Sequence, residues 1–268
     1  MYDFKGKRAF VTGASSGLGA AIALGIARGG GDVAINYASN LAGAEEVAAQ
    51  CEAHGARTFV LQGNVASDDD CRRMASELAS WDKLDVLINN AGTTKHVPVH
   101  SDMEALSSDD FMYIYGVNLV GPFHMIRALK PKLVAAADAC GLASSVVNVS
   151  SVAGRTGLGS SLAYVASKAA LNGMSLALAR ALAPKIRTNA LCPGYIKTPW
   201  FEKGVGSEAA DLMEKSVARI TPLKAASSVS DVADVALFLA SDASRHMTGE
   251  VFGVDAGLHL ATPGPVEE

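Results

Sequence analysis

The chain has 268 residues, of which 49% are hydrophobic and 19% are charged. This composition allows a large buried core and excludes a disordered or fibrous chain. Lysine and arginine total 23 against 27 for aspartate and glutamate, a net charge of -4, which gives no basic surface for nucleic acid or an anionic membrane. The sequence has no uninterrupted apolar run of about 18 residues, the length needed to span a membrane. We therefore expect a soluble cytoplasmic protein.

Short apolar runs alternate with longer helical patterns along the whole chain. The predicted strands are residues 9–12, 33–37, 58–62, 86–89, 145–149, 187–191 and 251–254. The predicted helices are residues 17–28, 43–54, 68–81, two between 109 and 136, 162–183 and 229–240. The strands are continuous Val, Ile and Leu runs, as a sheet covered on both faces requires. The predicted fold is α/β, a doubly wound parallel sheet of about seven strands in one domain over residues 1–268.

The first predicted strand runs directly into a glycine-rich turn, TGASSGLG, at residues 12–19. Gly13 allows the tight turn, Gly17 lets the backbone approach a diphosphate, and Gly19 lets the next helix pack closely on the sheet. The N–H groups of the turn and the helix dipole would face the anion. The predicted dinucleotide phosphate site comprises Gly13, Ser15, Ser16, Gly17, Leu18 and Gly19. A plain strand-to-helix turn is the alternative.

The end of the second predicted strand indicates which dinucleotide binds. An acidic residue there would bind the ribose 2′-OH of NAD, and a basic residue would accommodate the 2′-phosphate of NADP. The stretch from Asn36 to Asn40 contains neither. Because no carboxylate repels a 2′-phosphate, NADP (as NADPH) is favoured over NAD, with Tyr37, Ala38 and Ser39 beside the adenosine ribose.

Tyr164 and Lys168 are four residues apart at the start of a predicted helix, so they project from one face. A free tyrosine has a pKa of about 10, too high for efficient proton transfer at neutral pH. An ammonium about 4–5 Å away favours the phenolate by roughly 3–4 kcal/mol. The pair is therefore a predicted general acid–base site, although a Y-x-x-x-K match alone also arises by chance.

Six sequence motifs, two of which are described above, occur together along the chain. They are the glycine turn, Asn89-Asn90-Ala91-Gly92, Asn118 within VNLVG, Ser150-Ser151, Tyr164 with Lys168, and Pro193-Gly194. On these motifs the chain resembles the short-chain dehydrogenase/reductase family over about residues 5–258. The resemblance implies a Rossmann-type fold and an NAD(P)-dependent oxidoreductase that acts on CH–OH groups and interconverts a ketone or aldehyde with the alcohol by hydride transfer.

The resemblance also implies roles for individual residues. Tyr164 would exchange a proton with the substrate oxygen, and Lys168 would lower the pKa of Tyr164 and bind the nicotinamide ribose. Ser151 would hydrogen-bond the substrate oxygen, and Asn118 would hold a water that links Lys168 to solvent. The other implied cofactor residues are Asn64, Val65, Asn90, Ala91, Gly92, Pro193, Gly194, Ile196 and Thr198. Hydride transfer needs no metal, and the six histidines show no metal-ligand spacing.

The sequence gives fewer indications of which residues contact the substrate. His96 lies on a loop four residues beyond Gly92, and residues 199–218 form a predicted lid. The predicted substrate contacts are Ser151, His96, Tyr195 and Trp200. Residues 261–268 are expected to be a flexible tail. The nearly uncharged helix 162–183 needs cover on its second side, which predicts a homo-oligomer, with a tetramer favoured over a dimer.

Other functions stay open. A 3-oxoacyl-carrier-protein reductase would need basic residues near the cleft to dock an acidic carrier; the stretch 134–145 has none, although Lys185 and Arg187 remain as candidates. A nucleotide-sugar epimerase or dehydratase shares the Tyr/Lys chemistry, but those chains carry an additional substrate domain. A non-catalytic dinucleotide-binding regulatory module would have no use for a polarised phenol.

Overall fold

A computed structural model describes residues 2–97, 99–196, 198 and 206–261. Its strands are β1 (Arg8–Val11), β2 (Asp32–Tyr37), β3 (Thr58–Gln62), β4 (Val86–Asn89), β5 (Ser144–Val149), β6 (Ile186–Pro193) and β7 (Val251–Val254). In this part of the chain they pair in parallel as one seven-stranded sheet, in the order β3-β2-β1-β4-β5-β6-β7. The predicted doubly wound sheet is therefore confirmed.

The helices connect successive strands and lie on both faces of the sheet. They are α1 (Gly17–Arg28), α2 (Leu41–Glu52), α3 (Asp68–Glu77), α4 (Ser108–Tyr115), α5 (Gly121–Cys140), α6 (Ala153–Thr156), α7 (Leu162–Leu182), α8 (Ser207–Ile220) and α9 (Val229–Ala240). No helix within the described residues is both long enough and apolar enough to cross a membrane.

Alternating strand residues divide the core into two layers. Val11 of β1 belongs to the cluster that includes Ile22 of α1 and Val232 of α9. The preceding Phe10 belongs to the opposite cluster, with Met74 of α3 and Leu129 of α5. Because both faces of each strand are buried, both kinds of position must be apolar, which explains the continuous runs in the sequence.

Most predicted boundaries agree with the structure, and the differences have local causes. The helix expected over 43–54 starts at Leu41 because the Asn40 side chain accepts a hydrogen bond from the Gly43 N–H at 3.2 Å. The two helices expected between 109 and 136 are joined without a break by a π-helical turn, Gly116–Val120, and the second extends to Cys140. The final part of the predicted lid is the helix α8.

The chain reverses its direction of winding between β1 and β4, which are adjacent in the sheet. Ligands of doubly wound sheets bind outside the carboxyl ends of the strands at such a point. The glycine turn follows β1 and the Asn90-Ala91-Gly92 run follows β4. The fold therefore brings the first two motifs of the sequence to one crevice.

Candidate active site

The three glycines of the first turn are each required by geometry. Gly13 and Gly17 have φ angles of +61° and +57°, a region that L side chains rarely adopt. A Cβ on Gly13 would lie 3.0 Å from the Cα of Ala91. A Cβ on Gly19 would lie 2.5 Å from the Asn90 Nδ2, inside any contact distance. The turn therefore leaves no room for side chains between itself and the run after β4.

Hydrogen bonds hold these two segments together. The Thr12 hydroxyl accepts from the main-chain N–H of Asn90 and of Ala91, both at 2.9 Å. The Asn90 side chain donates to the carbonyl of Gly13 at 3.1 Å. At the start of α1, Ser16 makes no side-chain capping bond and the first turn has no acidic residue. The amides at this helix start suit a diphosphate, so the predicted phosphate residues fit the cofactor.

Sequence reasoning missed the residue that fixes the turn from the β2 side. Asn36 is fully buried; its Oδ1 accepts from the Gly13 N–H at 3.1 Å, and its Nδ2 donates to the Gly63 carbonyl at 3.0 Å. Asn36 therefore joins β2, the phosphate turn and the loop after β3. The available signal was a lone amide side chain inside an otherwise apolar strand.

The predicted adenosine residues lie at the rim of this crevice. Tyr37 is buried, whereas Ala38 and Ser39 are the first exposed residues after β2. They lead into α2, whose first turn contains no acidic residue. A 2′-phosphate there would meet a hydroxyl and the positive end of a helix.

The Asn64-Val65 pair lies just after β3, the strand whose last residue, Gln62, pairs with Tyr37 of β2. Val65 is buried and Asn64 is exposed. The Asn64 Oδ1 accepts from the main-chain N–H of Ala66 at 3.0 Å. The exposed Asn64 side chain could therefore offer its amide N–H groups and the second lone pair of its oxygen to a ligand.

Tyr164 and Lys168 share one side of α7, as their spacing predicts. The Lys168 Nζ lies 5.7 Å from the centroid of the Tyr164 ring. Lys168 is buried, and its Nζ donates to the main-chain carbonyl of Val149, at the end of β5, at 2.8 Å. Ser151, two residues beyond β5, lies close enough to Tyr164 for a side-chain hydrogen bond. The structure therefore brings Ser151, Tyr164 and Lys168 together.

The Asn118 side chain lies close to Gly92, which is also close to the Lys168 Nζ. Asn118 lies in the π-helical turn between α4 and α5 and is fully buried; such turns often occur at functional sites. Its Oδ1 accepts from the Thr93 N–H at 2.8 Å, and its Nδ2 donates to the Thr93 carbonyl at 2.9 Å. A Cβ on Gly92 would lie 3.5 Å from the Asn118 Oδ1 and 3.6 Å from the Lys168 Nζ.

The sequence also gave no role to Ser167, which lies between Tyr164 and Lys168 on α7. Its hydroxyl accepts from the Asn118 Nδ2 at 3.0 Å and donates to the Tyr164 carbonyl at 2.8 Å. Ser167 therefore joins the π-helical turn to α7. Its position three residues after the tyrosine was the only signal in the sequence.

Burial shifts the pKa values of both Lys168 and Tyr164. It lowers the pKa of the Lys168 ammonium to about 8. It also raises the pKa of the Tyr164 phenol above its usual range, an effect that the hydrogen bond with Ser151 partly opposes. The expected lowering of the Tyr164 pKa is therefore wrong in direction, because loss of hydration disfavours the phenolate as well as the ammonium.

The turn after β6 closes the crevice. Gly194 packs so closely on Asp255 that a Cβ would lie 2.7 Å from the Asp255 Cβ. Ile196 forms an isolated bridge with Ser227. The Thr198 side chain would be 3.7 Å from a Cβ on Gly17. Gly194 therefore lies at the end of the sheet, and Thr198 lies beside the phosphate turn.

Of the four predicted substrate contacts, the structure describes Ser151, His96 and Tyr195 but not Trp200. His96 is partly buried, and burial lowers its pKa; its loop is held by the Thr94 and Ser160 hydroxyls, 2.6 Å apart. The Tyr195 hydroxyl donates to the main-chain carbonyl of Ala210 at 2.7 Å, so it is engaged by α8. Trp200, residues 199–205 of the predicted lid and residues 262–268 of the predicted tail lie outside the described residues.

The two cations that could have docked an acidic carrier are poorly placed for it. Arg187 is buried at the amino end of β6, opposite the carboxyl end where the candidate site lies, and donates to the Ser241 carbonyl at 2.8 Å. Lys185 forms an ion pair with Asp138 at 2.5 Å. Of these two candidates, Arg187 is therefore not accessible to a carrier, whereas Lys185 is exposed.

Comparisons with known proteins show which family this chain is similar to. A family model described as enoyl-(acyl carrier protein) reductase matches residues 13–259. An uncharacterized oxidoreductase of Methylorubrum extorquens is 36% identical over 96% of this chain and 100% of its own length. The 3-oxoacyl-[acyl-carrier-protein] reductase of Staphylococcus epidermidis is 33% identical over 95% of this chain and 99% of its own length.

Solved structures also resemble this chain over nearly its whole length. A Burkholderia xenovorans structure described as a short-chain dehydrogenase/reductase superposes with a TM-score of 0.87 at 40% identity, covering 95% of this chain and 98% of the other. The Pseudomonas aeruginosa RhlG/NADP active-site complex superposes with a TM-score of 0.85 at 28% identity, covering 96% and 98%.

Proposed function

Because the chain belongs to the short-chain dehydrogenase/reductase family, we propose that this oxidoreductase prefers NADPH and reduces a ketone or aldehyde to the alcohol, or catalyses the reverse. The observation that carries the proposal is the Lys168 Nζ, 5.7 Å from the Tyr164 ring centroid. When bound, NADPH supplies the hydride, which goes to the carbonyl carbon, and the protein must supply one proton to the carbonyl oxygen.

Tyr164 is the proposed proton donor. Its raised pKa keeps the phenol protonated at neutral pH, which is the form that a general acid needs in the reducing direction. The Ser151 hydroxyl is the second donor to the same carbonyl oxygen. Two aligned hydroxyls stabilise the negative charge that develops there.

Lys168 has two proposed tasks. With a pKa of about 8 it remains mostly protonated at neutral pH, so its charge stabilises the phenolate that forms as Tyr164 gives up its proton. One of its three N–H donors binds the Val149 carbonyl. The other donors suit the hydroxyls of a nicotinamide ribose placed beside Gly92.

Asn118 is proposed to hold the water that returns a proton to the site. Both hydrogens of its Nδ2 are engaged, by Thr93 and Ser167. The water would therefore bind the second lone pair of the Asn118 Oδ1 or its main-chain carbonyl. Because these hydrogen bonds hold the Asn118 side chain in one orientation, they would also fix the position of the water at the start of the proton relay.

The preference for NADPH rests on the rim beside the adenosine ribose. Ala38 and Ser39 are exposed there without a carboxylate, and the uncharged first turn of α2 follows. An NAD-binding site would have an acid at this point.

A second candidate is reduction of a 3-oxoacyl thioester. It is favoured by the 33% identity to the Staphylococcus epidermidis reductase over nearly the full length of both chains. A carrier would have to dock without Arg187, which is buried. A short 3-oxoacyl thioester without the carrier separates the two candidates, since a thioester-specific enzyme turns it over faster than simple ketones.

A homo-oligomer is also part of the proposal. On the outer face of α7, Leu176 is 46% exposed and Gly173 has open space where a side chain would be. Phe123 of α5 is 41% exposed. A second copy covering these helices would bury this apolar surface. We expect a tetramer, and a light-scattering mass equal to one chain would contradict it.

The direct test is NADPH oxidation with a panel of carbonyl compounds. Tyr164→Phe should lower kcat by about 10²–10⁴-fold, the usual contribution of a general acid. Tyr113→Phe is the matched control, because Tyr113 is 61% exposed on α4 and should keep wild-type turnover. Equal rates for wild type and Tyr164→Phe would contradict the mechanism.

A further inference from the structure

Tyr195 connects the turn after β6 with the helix α8. It follows the Pro193-Gly194 pair directly, and its hydroxyl donates to the main-chain carbonyl of Ala210 at 2.7 Å. Ala210 is fully buried in the amino-terminal part of α8. This part of α8 therefore lies within one side-chain length of the turn assigned to the nicotinamide.

The helix α8 buries few of its own side chains. Of its 14 residues, only Ala210 and Val217 are buried. Its amino end is Gly206, with a φ of +87° and no side-chain capping bond. Leu212 is 62% exposed and Met213 is 44% exposed. With so little apolar burial, the hydrogen bond at Ala210 is one of the polar contacts that dock this end of the helix.

The carboxyl end of α8 is held by separate contacts. The Thr221 hydroxyl donates to the Ala225 carbonyl at 2.8 Å and accepts from the Ala225 N–H at 3.1 Å. The Leu223 N–H donates to the Ala256 carbonyl at 3.2 Å. The contacts of the two ends are therefore independent, and loss of the Tyr195 bond would release only the amino end.

We propose that Tyr195 is a positioning residue, a latch that holds the amino-terminal turn of α8 beside the catalytic crevice and so sets how tightly the substrate is enclosed. This replaces direct substrate hydrogen bonding as the role of its hydroxyl. The kinetic consequence rests on the proposed oxidoreductase function, whereas the latch itself does not.

Amide hydrogen exchange tests the latch without any assay of activity. In Tyr195→Phe, which keeps the ring, the amides of residues 210–213 should exchange at least about 5-fold faster, because local opening becomes easier. The amides near Thr221 should not change. Tyr113→Phe is the matched control and should leave both regions as in wild type. Unchanged exchange at residues 210–213 in Tyr195→Phe would overturn the proposal.

Kinetics then measure the consequence for substrate binding. Tyr195→Phe should raise KM for the carbonyl substrate about 3–10-fold, with kcat and the Kd of NADPH within about 2-fold of wild type. An equal loss of NADPH affinity would overturn the assignment to the substrate side. Faster exchange in a protein that shows no NADPH-dependent turnover would leave the latch standing and count only against the proposed function.

Discussion

The Nζ of Lys168 donates a hydrogen bond to the main-chain carbonyl of Val149 at 2.8 Å. This contact anchors a buried cation at the end of β5, next to Ser151 and facing Tyr164. Among the described residues, no carboxylate pairs with Lys168, so this lysine is held by the fold despite its loss of hydration. Its protonation should therefore govern both activity and stability.

The rate of carbonyl reduction should fall as the pH rises past about 8. Below this pKa the Lys168 ammonium is present and stabilises the forming phenolate of Tyr164, and above it the charge is lost. With saturating NADPH, kcat measured between about pH 6 and 10 should fall by up to about tenfold per pH unit on the alkaline side. A profile that is flat across this range would contradict the assigned role of Lys168.

Lys168→Met should remove activity and yet stabilise the fold. The folded-state pKa of Lys168 is about 8 against an ordinary value of 10.5. The unfolded chain therefore binds more protons between these two values, and wild-type stability rises with pH across that window. Below pH 8 the full penalty applies, so at neutral pH the variant should gain about 1–2 kcal/mol in the free energy of unfolding, after loss of the bond to Val149.

Urea unfolding measures this difference at neutral pH and again at about pH 10, where it should shrink. Lys130→Met is the matched control, since Lys130 is exposed on α5 and its replacement should change neither stability nor turnover. A Lys168→Met protein that is less stable than wild type at neutral pH would contradict the burial penalty.

The sheet could be predicted from sequence because buried parallel strands must be apolar on both faces. The same periodicity could not reveal the π-helical turn Gly116–Val120, in which Asn118 bonds to Thr93, a residue distant along the chain. The sequence analysis also assigned the residues of α8 to the lid, although Ala210, Met213 and Val217 recur at helical spacing. The spacing of Tyr164 and Lys168 predicted their proximity, but the pKa of Tyr164 depends on burial, which spacing does not encode.

Ser167→Ala should impair turnover through Asn118. The variant leaves one hydrogen of the Asn118 Nδ2 without its acceptor at 3.0 Å, in a buried place where an unmade hydrogen bond costs about 1–3 kcal/mol. We expect kcat to fall about tenfold as the amide shifts, with the Kd of NADPH little changed.

Ser175→Ala is the matched control for Ser167→Ala. Ser175 is also fully buried on α7, and its hydroxyl accepts from the Asn148 Nδ2 at 2.9 Å. Both variants should therefore lose similar stability in thermal unfolding, but only Ser167→Ala should lose kcat. Equal kcat values for the two variants would show that Ser167 has a structural role alone.

Ala38→Asp should exchange the cofactor preference. Ala38 is the first exposed residue after β2, at the position where a carboxylate can accept a hydrogen bond from the ribose 2′-OH of NADH and repel the 2′-phosphate of NADPH. The Kd of NADPH, measured by the fluorescence of the bound nicotinamide, should rise by about tenfold or more, and the Kd of NADH should fall about threefold. Ala38→Asn has nearly the same size without the charge and should change the ratio of the two constants much less. If Ala38→Asp keeps the wild-type ratio, the adenosine ribose does not lie at the end of β2, and the proposed preference for NADPH loses its physical basis.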